Sequence, residues 1–433
     1  MLVRFLVSNH RSVRDEAELT LVASPQRDDP AGLMHCPVVP TGQVVPAALI
    51  YGANASGKSN ILSAITATSD MVVRSHALGK PSGGVRRQPF KLDEKYSQLP
   101  LRCETDFVMH GVLYNYGFTA TDEEFTSEWL HSYPNSRRRV LFNRSDQTFV
   151  FSRGLKGRNM SIAKLTRRNS LFLSAAAQNG HEELSKVFSF FSKILSVSEV
   201  PENSLMMKAQ SAEGHRDNRL IDFLKQFDPG IMGYRMPRTE IPTSIMNEMN
   251  EVLSSLDLDL ENVDAKSLEI HREVELAHRG VDEKEVFFDR TTESAGTRRL
   301  FIILQLVFRA LDQGTLLLID ELDSSLHPHA CEAVLNLFCS SRSNPHGAQL
   351  LATVHNTSLM NSPVLRRDQL WFVEKDRQGA TRLYSLTDFK TSKRDDFELG
   401  YLQGRFGAVP FYAAPRDVEI VHQGLVSENE TTE

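Results

Sequence analysis

Cysteine is scarce in this 433-residue sequence, and the four present (Cys36, Cys103, Cys331 and Cys339) form no CxxC pair. That excludes a disulfide framework and fits reduced thiols acting as small core residues in a cytosolic protein. Also missing is any uninterrupted apolar run of about 18 residues, the length a membrane helix needs. The opening MLVRFLVSNHRS has charges inside its apolar stretch and no small-residue cleavage site, so no targeting segment is read there. No membrane partner is expected, and the expected location is the cytoplasm. A surplus of positive charge is lacking too. The formal charge of -6 excludes a global field drawing the chain onto nucleic acid, so any such contact needs a local patch. Arg86-Arg87, Arg137-Arg138-Arg139 and Arg167-Arg168 are the local basic clusters, and they keep nucleic acid open as a partner. Internal repeats and low-complexity tracts are absent.

What is present reads as an α/β chain. Val3, Phe5 and Val7 alternate with Arg4 and Leu6, and 17–22 offers a second strand, so the chain opens on a hairpin. A short apolar strand over 46–50 leads into a glycine-rich loop, and Ile61, Leu62, Ile65 and Met71 then fall at helical spacing. Alternation around His110-Gly111 predicts a β-hairpin within a β-rich lobe. From about 181 the pattern turns helical, with Leu184, Val187, Phe188, Phe191 and Leu195 on one stripe and further helical windows at 216–227 and 243–256. Leu316–Ile319 is an unbroken apolar strand, as a parallel sheet covered on both faces requires. These features divide the chain into 1–180, the N-terminal part of a head with its β-lobe; 181–285, a helical insertion; 286–412, the C-terminal part of the head; and 413–433, a polar tail.

Gly52-Ala-Asn-Ala-Ser-Gly57-Lys58-Ser59 matches GxxxxGK[ST] between a predicted strand and a predicted helix. Its N–H groups, at a helix start, suit phosphate oxygens; Lys58 spans the β- and γ-phosphates and the Ser59 hydroxyl holds Mg²⁺. ATP and Mg²⁺ are the implied cofactors, with Asn54, Gly57 and Asn60 also placed on the nucleotide. Asp320-Glu321 ends the apolar strand: Asp320 would position Mg²⁺, and Glu321, pointing the other way along the pleat, would polarise the attacking water. Two other patterns are set aside. His327-x-His329-x-Cys331 diverges at a helix start, and Asp257-x-Asp259 lies in the insertion without an acidic strand before it.

Ser294 and Gly296 precede a predicted helix in the Ser-x-Gly arrangement of ABC signature motifs, about twenty residues before the Asp-Glu strand. Leu322-Asp-Ser-Ser-Leu-His-Pro328 resembles that family's interface loop, and His355, after Ala352-Thr-Val354, stands where the family places its γ-phosphate switch. Val7-Ser-Asn-His-Arg11-Ser-Val13 resembles the opening of RecF, SMC and OLD-like proteins, which implies that Arg11 reaches the nucleotide; Gln88 is the candidate for the glutamine that reaches Mg²⁺ and the water. More narrowly, the segments around Glu293–Leu300, Asp320–Pro328 and Gly400–Pro410 resemble the ATPase subunits of bacterial abortive-infection operons of the AbiL and RloA kind. The resemblance implies an ABC/SMC-like P-loop ATPase head with an N-terminal β-lobe and an inserted helical subdomain. It also implies catalytic roles for Lys58, Glu321 and His355, and a homodimer or higher homo-oligomer in which Ser294 and Gly296 meet the partner's γ-phosphate. The functional expectation is an anti-phage sensor or regulatory ATPase controlling a separately encoded effector, Toprim-like or another nuclease. A RecF-like DNA-binding clamp in repair is the alternative.

Overall fold

A computed structural model describes residues 1–25, 32–197, 217–235, 238–240, 270–272, 274–392 and 394–409. The first half supplies β1 (Leu2–Ser8), β2 (Ala17–Thr20), β3 (Met34–His35), β4 (Gln43–Val44), β5 (Ala47–Tyr51), α1 (Lys58–Arg74), α2 (Glu94–Gln98), β6 (Leu101–Met109), β7 (Val112–Ala120), β8 (Phe125–Tyr133), β9 (Arg139–Ser145) and β10 (Thr148–Phe151). Then come α3 (Asn159–Leu165), α4 (Phe172–Gln178), α5 (Glu182–Ser192), β11 (Leu195–Val197), α6 (Asn218–Leu224), β12 (Ile231–Arg235), β13 (Arg238–Glu240), β14 (Ile270–Arg272), β15 (Glu275–Arg279) and β16 (Glu285–Asp289). The chain continues through α7 (Ala295–Gln313), β17 (Leu316–Ile319), α8 (Pro328–Cys339), β18 (Gln349–Thr353), β19 (Leu370–Lys375), β20 (Thr381–Ser385) and α9 (Phe397–Leu402).

The central six-stranded sheet runs β11-β17-β18-β5-β19-β20, parallel except for β20. Its inner strands β5 and β17 are apolar and buried along their whole length because both faces are covered. Leu49, Leu317, Ile319, Leu350 and Phe372 face a core completed by α7 and α8, while Ile50, Leu316, Leu318, Leu351 and Val373 face a second core. In that second core α1, α4 and α5 lie against the seven-stranded antiparallel sheet β10-β9-β8-β7-β6-β1-β2, which is the expected β-lobe. The opening hairpin and the His110-Gly111 turn both occur as expected, with Val7 opposite Ala17 and Met109 opposite Val112. All four cysteines are buried and unpaired.

The stretch 181–285 departs from the helical reading. The predicted helices at its start and at 216–227 appear as α5 and α6, but β11 joins the central sheet beside β17, so the head continues to Val197. Three residues are too few to carry a readable period, which is why β11 escaped notice. The described residues beyond it hold β12, β15 and β16 as a three-stranded antiparallel sheet, and β13 pairs with β14. The window 243–256, Asp257, Asp259 and the tail 413–433 lie outside the described residues.

One buried ion pair ties the lobe to the layer beneath it. Glu128 of β8 accepts N–H bonds from Phe172 (2.6 Å) and Leu173 (3.0 Å) at the start of α4 and the Tyr116 hydroxyl (3.0 Å), with Arg144 of β9 at 3.7 Å. Burial pushes the Glu128 carboxyl up and the Arg144 guanidinium down, and their attraction opposes both shifts. Removing one partner strands the other charge. Glu128→Ala is therefore expected to lower unfolding free energy by about 3–5 kcal/mol, read by urea denaturation, with Glu128→Gln losing less because it keeps an acceptor for the α4 amides.

Candidate functional site

The carboxyl ends of the parallel strands β5, β17, β18 and β19 converge on one cavity of about 680 Å³, lined by Asn54, Ala55, Ser56, Gly57, Lys58, Ser59, Asn60, Glu321, His355 and Lys375. This is where ligands meet open α/β sheets. The loop after β5 is shaped by packing as much as by conformation. Gly57 has φ 108°, and a Cβ there would collide with Thr381 Oγ1 and lie 2.9 Å from Ser12 Oγ. Thr381 donates through its hydroxyl to the Ser56 carbonyl (2.9 Å) and through its N–H to the Ser12 carbonyl (2.7 Å), while Asn60 Nδ2 donates to Ser12 Oγ (2.6 Å). The N-terminal turn and β20 thus clamp the loop from outside.

Lys58 is buried, its Nζ donating to the carbonyls of Gly52 (2.8 Å) and Ala53 (3.2 Å). Burial lowers its pKa, and the nearby Asp320, Glu321 and Asp323 carboxylates counteract that. Ser59 Oγ donates to Asp320 Oδ1 at 3.1 Å, and the buried Thr353 hydroxyl donates to the same oxygen at 2.5 Å. These oxygens at the foot of a phosphate-binding loop are the hard donors Mg²⁺ takes, so Ser59 and Asp320 fit that ion. Glu321 does not alternate along a pleat as expected. β17 ends at Ile319 and Glu321 is in the left-handed region (φ 52°), which turns it toward the cavity. Its N–H is held by Thr353 Oγ1 at 2.7 Å, and His355 Nε2 lies 3.7 Å from Glu321 Oε1.

Arg11, Gln88, Ser294 and Gly296 are not among the cavity residues. Arg11 stands at the rim, its Nη1 3.4 Å from Asn60 Oδ1. The Gln88 side-chain oxygen accepts from Arg11 Nε and its carbonyl accepts from the Arg11 N–H, so Gln88 and Arg11 stand together beside Asn60. Ser294 caps α7, its Oγ accepting from the Thr297 N–H at 3.1 Å, and a Cβ on Gly296 would lie 2.8 Å from the Ser325 carbonyl. Arg299, one turn further on, donates to the carbonyls of Asp320 (3.0 Å) and Glu321 (3.2 Å). His327 caps α8 and its ring meets that of His329 edge-on at 4.9 Å, so these two do not diverge as expected; Cys331 is buried with its Sγ on the Leu322 carbonyl, and among the described residues no group of three such side chains could hold a metal ion.

Sequence reasoning missed Thr353, Asp323 and Lys375. Asp323 Oδ2 accepts the N–H groups of His355 (2.8 Å) and Asn356 (2.6 Å), tying the loop after β17 to the one after β18. Lys375 carries the one available signal: like Asp320 and His355, it stands at the end of an apolar strand of the same sheet.

The family model described as "AAA domain, putative AbiEii toxin, Type IV TA system" matches residues 47–361, from β5 past His355. The chain belongs to this AAA domain family. Among solved structures it is similar to an SMC head bound to the C-winged helix domain of ScpA, at 14% identity and TM-score 0.38, covering 89% of this chain and 97% of that one. It is also similar to the SMC head domain from Thermotoga maritima, at 13% identity and TM-score 0.39, covering 89% and 98%. A third is an Smc head with an extended coiled coil, bound to the C-terminal domain of ScpA, from Pyrococcus furiosus, at 14% identity and TM-score 0.34, covering 89% and 97%. No curated protein matches the chain.

Beside the AAA site, His10 is buried, its Nε2 3.0 Å from Ser63 Oγ, and burial with the Arg11 charge lowers its pKa to about 4. A depressed folded-state pKa means that stability is fully present above the ordinary histidine value near 6.5 and is lost as pH falls toward 4. Between pH about 7 and 4, wild type should lose about 2–3 kcal/mol more than His10→Gln in urea unfolding.

Proposed function

We propose that this AAA protein binds and hydrolyses ATP as a homodimer or higher homo-oligomer, and that it is the sensor or regulatory subunit of a bacterial anti-phage system. The observation that carries the hydrolytic reading is the convergence of Lys58, Ser59, Asp320, Glu321 and His355 at the ends of adjacent parallel strands. The N–H groups after Gly52 and the buried Lys58 suit triphosphate oxygens. Mg²⁺, when bound by Ser59 and Asp320, neutralises phosphate charge. Glu321 takes the proton of the attacking water, and His355, within reach of Glu321, holds the γ-phosphate side. Ser294 and Gly296, at the start of a helix away from their own chain's cavity, suit the γ-phosphate held by a second copy.

Two lines support the defence role. The matched family's description names an AbiEii toxin of a type IV toxin–antitoxin system. The segments around Ser294, Asp320 and Gly400 resemble ATPases of abortive-infection operons, which act with a separately encoded, often Toprim-like, effector.

Lys58→Ala should abolish ATP binding, whereas Glu321→Gln should keep binding and lower turnover about 10²–10⁴-fold, since only the proton acceptor is lost. Calorimetric binding beside phosphate release separates the two, and equal loss of binding in both variants would remove Glu321 from its role. Mixing Lys58→Ala with Ser294→Arg subunits should recover part of the turnover that each lacks alone. An inactive mixture despite proven hetero-association would end the shared-site reading.

A further inference from the structure

Charge is unevenly distributed along this chain. From Trp129 to His181 the sequence has ten lysines and arginines against one acidic residue, Asp146, within a protein of formal charge -6. Four of the ten are engaged by other residues of the lobe and its surroundings. Arg144 pairs with Glu128, Arg168 holds Glu124 through bonds of 2.7 and 2.8 Å, Arg167 donates to the carbonyls of Ser75 and His76, and Arg138 meets the His131 ring. The other six, Arg137, Arg139, Arg153, Lys156, Arg158 and Lys164, have no carboxylate partner among the described residues, and all but Arg139 are exposed.

The fold gathers most of these at one end of the lobe. Arg137–Arg139 lead into β9 and Arg153–Arg158 leave β10, two antiparallel strands with Phe151 opposite Phe142. Ser152 N–H bonds the Leu141 carbonyl at 2.9 Å, and the Arg139 guanidinium lies against Gly154, so the two basic runs meet. Charged residues commonly blunt an exposed sheet edge against pairing with another chain. That reading fails here because the edge strand β10 is Thr148-Phe-Val-Phe151, uncharged and with Val150 exposed, while the cations sit on the turns at its end. Four of the six are arginines, whose planar fork matches phosphate oxygens in pairs. Protein interfaces deplete charge at their centre, whereas a run of like charges without carboxylates between them suits a ligand carrying evenly spaced anions.

We propose that this end of the β-lobe binds the phosphodiester backbone of a nucleic acid. The surface rests on charge and placement and does not depend on the ATP reading. It positions a strand without reading its sequence, and the binding is salt-dependent.

The test is fluorescence anisotropy of the full chain with labelled duplex DNA, single-stranded DNA and single-stranded RNA, over salt from about 50 to 200 mM. At least one of the three should bind, with affinity falling linearly on a log–log plot against salt. Reversal of Arg137, Arg139 and Arg153 to Glu should weaken that binding at least about tenfold and flatten the salt slope by about 2–3. The same three changed to Ala should give a smaller loss of the same sign, which covers the case in which the reversal perturbs folding. Reversal of the exposed Arg342, on the loop after α8, should leave binding unchanged. Three outcomes overturn the proposal: no binding of any of the nucleic acids at the lowest salt, binding that neither triple variant weakens, or polyglutamate displacing the nucleic acid as well as unlabelled nucleic acid does, which would assign the surface to an acidic protein.

Discussion

The Asp320 carboxylate is held in place by two hydroxyls, and the site depends on that placement. Thr353 donates to Asp320 Oδ1 from within the sheet and Ser59 donates to the same atom from the phosphate loop, while Thr353 Oγ1 also accepts the Glu321 N–H. Parallel pairing makes this geometry available, because Ile319 aligns with Ala352 and Thr353 with Ile50, so the three strands end side by side. A carboxylate oxygen that accepts from two hydroxyl donors is restrained in position, and that restraint is what a preorganised charged site requires.

Around this point the chain is clamped from several directions. Ser12, Asn60 and Thr381 hold the phosphate loop, and the Ala408 carbonyl accepts the Ala53 N–H at 2.9 Å, with Tyr401 donating to that same carbonyl at 3.0 Å. The motif over 400–408 is therefore a strap on the phosphate loop. Several non-glycine residues near the site sit in the left-handed region, among them Ala55, Glu321 and Ser325, and such strain persists only where surrounding contacts over-determine it. Asp323 and Arg299 extend the network outward. One joins the loop after β17 to the His355 backbone and the other joins the first turn of α7 to the Asp320-Glu321 turn.

The parts of this arrangement legible in the sequence were those whose chemistry imposes a residue type. A phosphate loop needs its glycines, lysine and serine, and a strand covered on both faces needs an unbroken apolar run, so Gly57, Lys58, Ser59 and Leu316–Ile319 announce themselves. Thr353 and Asp323 were illegible because they act by hydrogen-bonding backbone and side chains brought together only by the sheet; neither type at that spacing means anything by itself. The Glu321 orientation was misjudged because a strand's alternation was carried on through Asp320 and Glu321, whereas the turn begins at Asp320, directly after Ile319. β11 was hidden by its length.

The central claim is that one chain carries half of an ATP site that a second copy completes. Sedimentation velocity of the Glu321→Gln protein with and without Mg²⁺ and ATP addresses it most directly, since blocked turnover should hold the closed state. A shift to at least twice the monomer mass with ATP, absent with ADP, is the result this account requires; an unchanged monomer that still binds ATP stoichiometrically would contradict it.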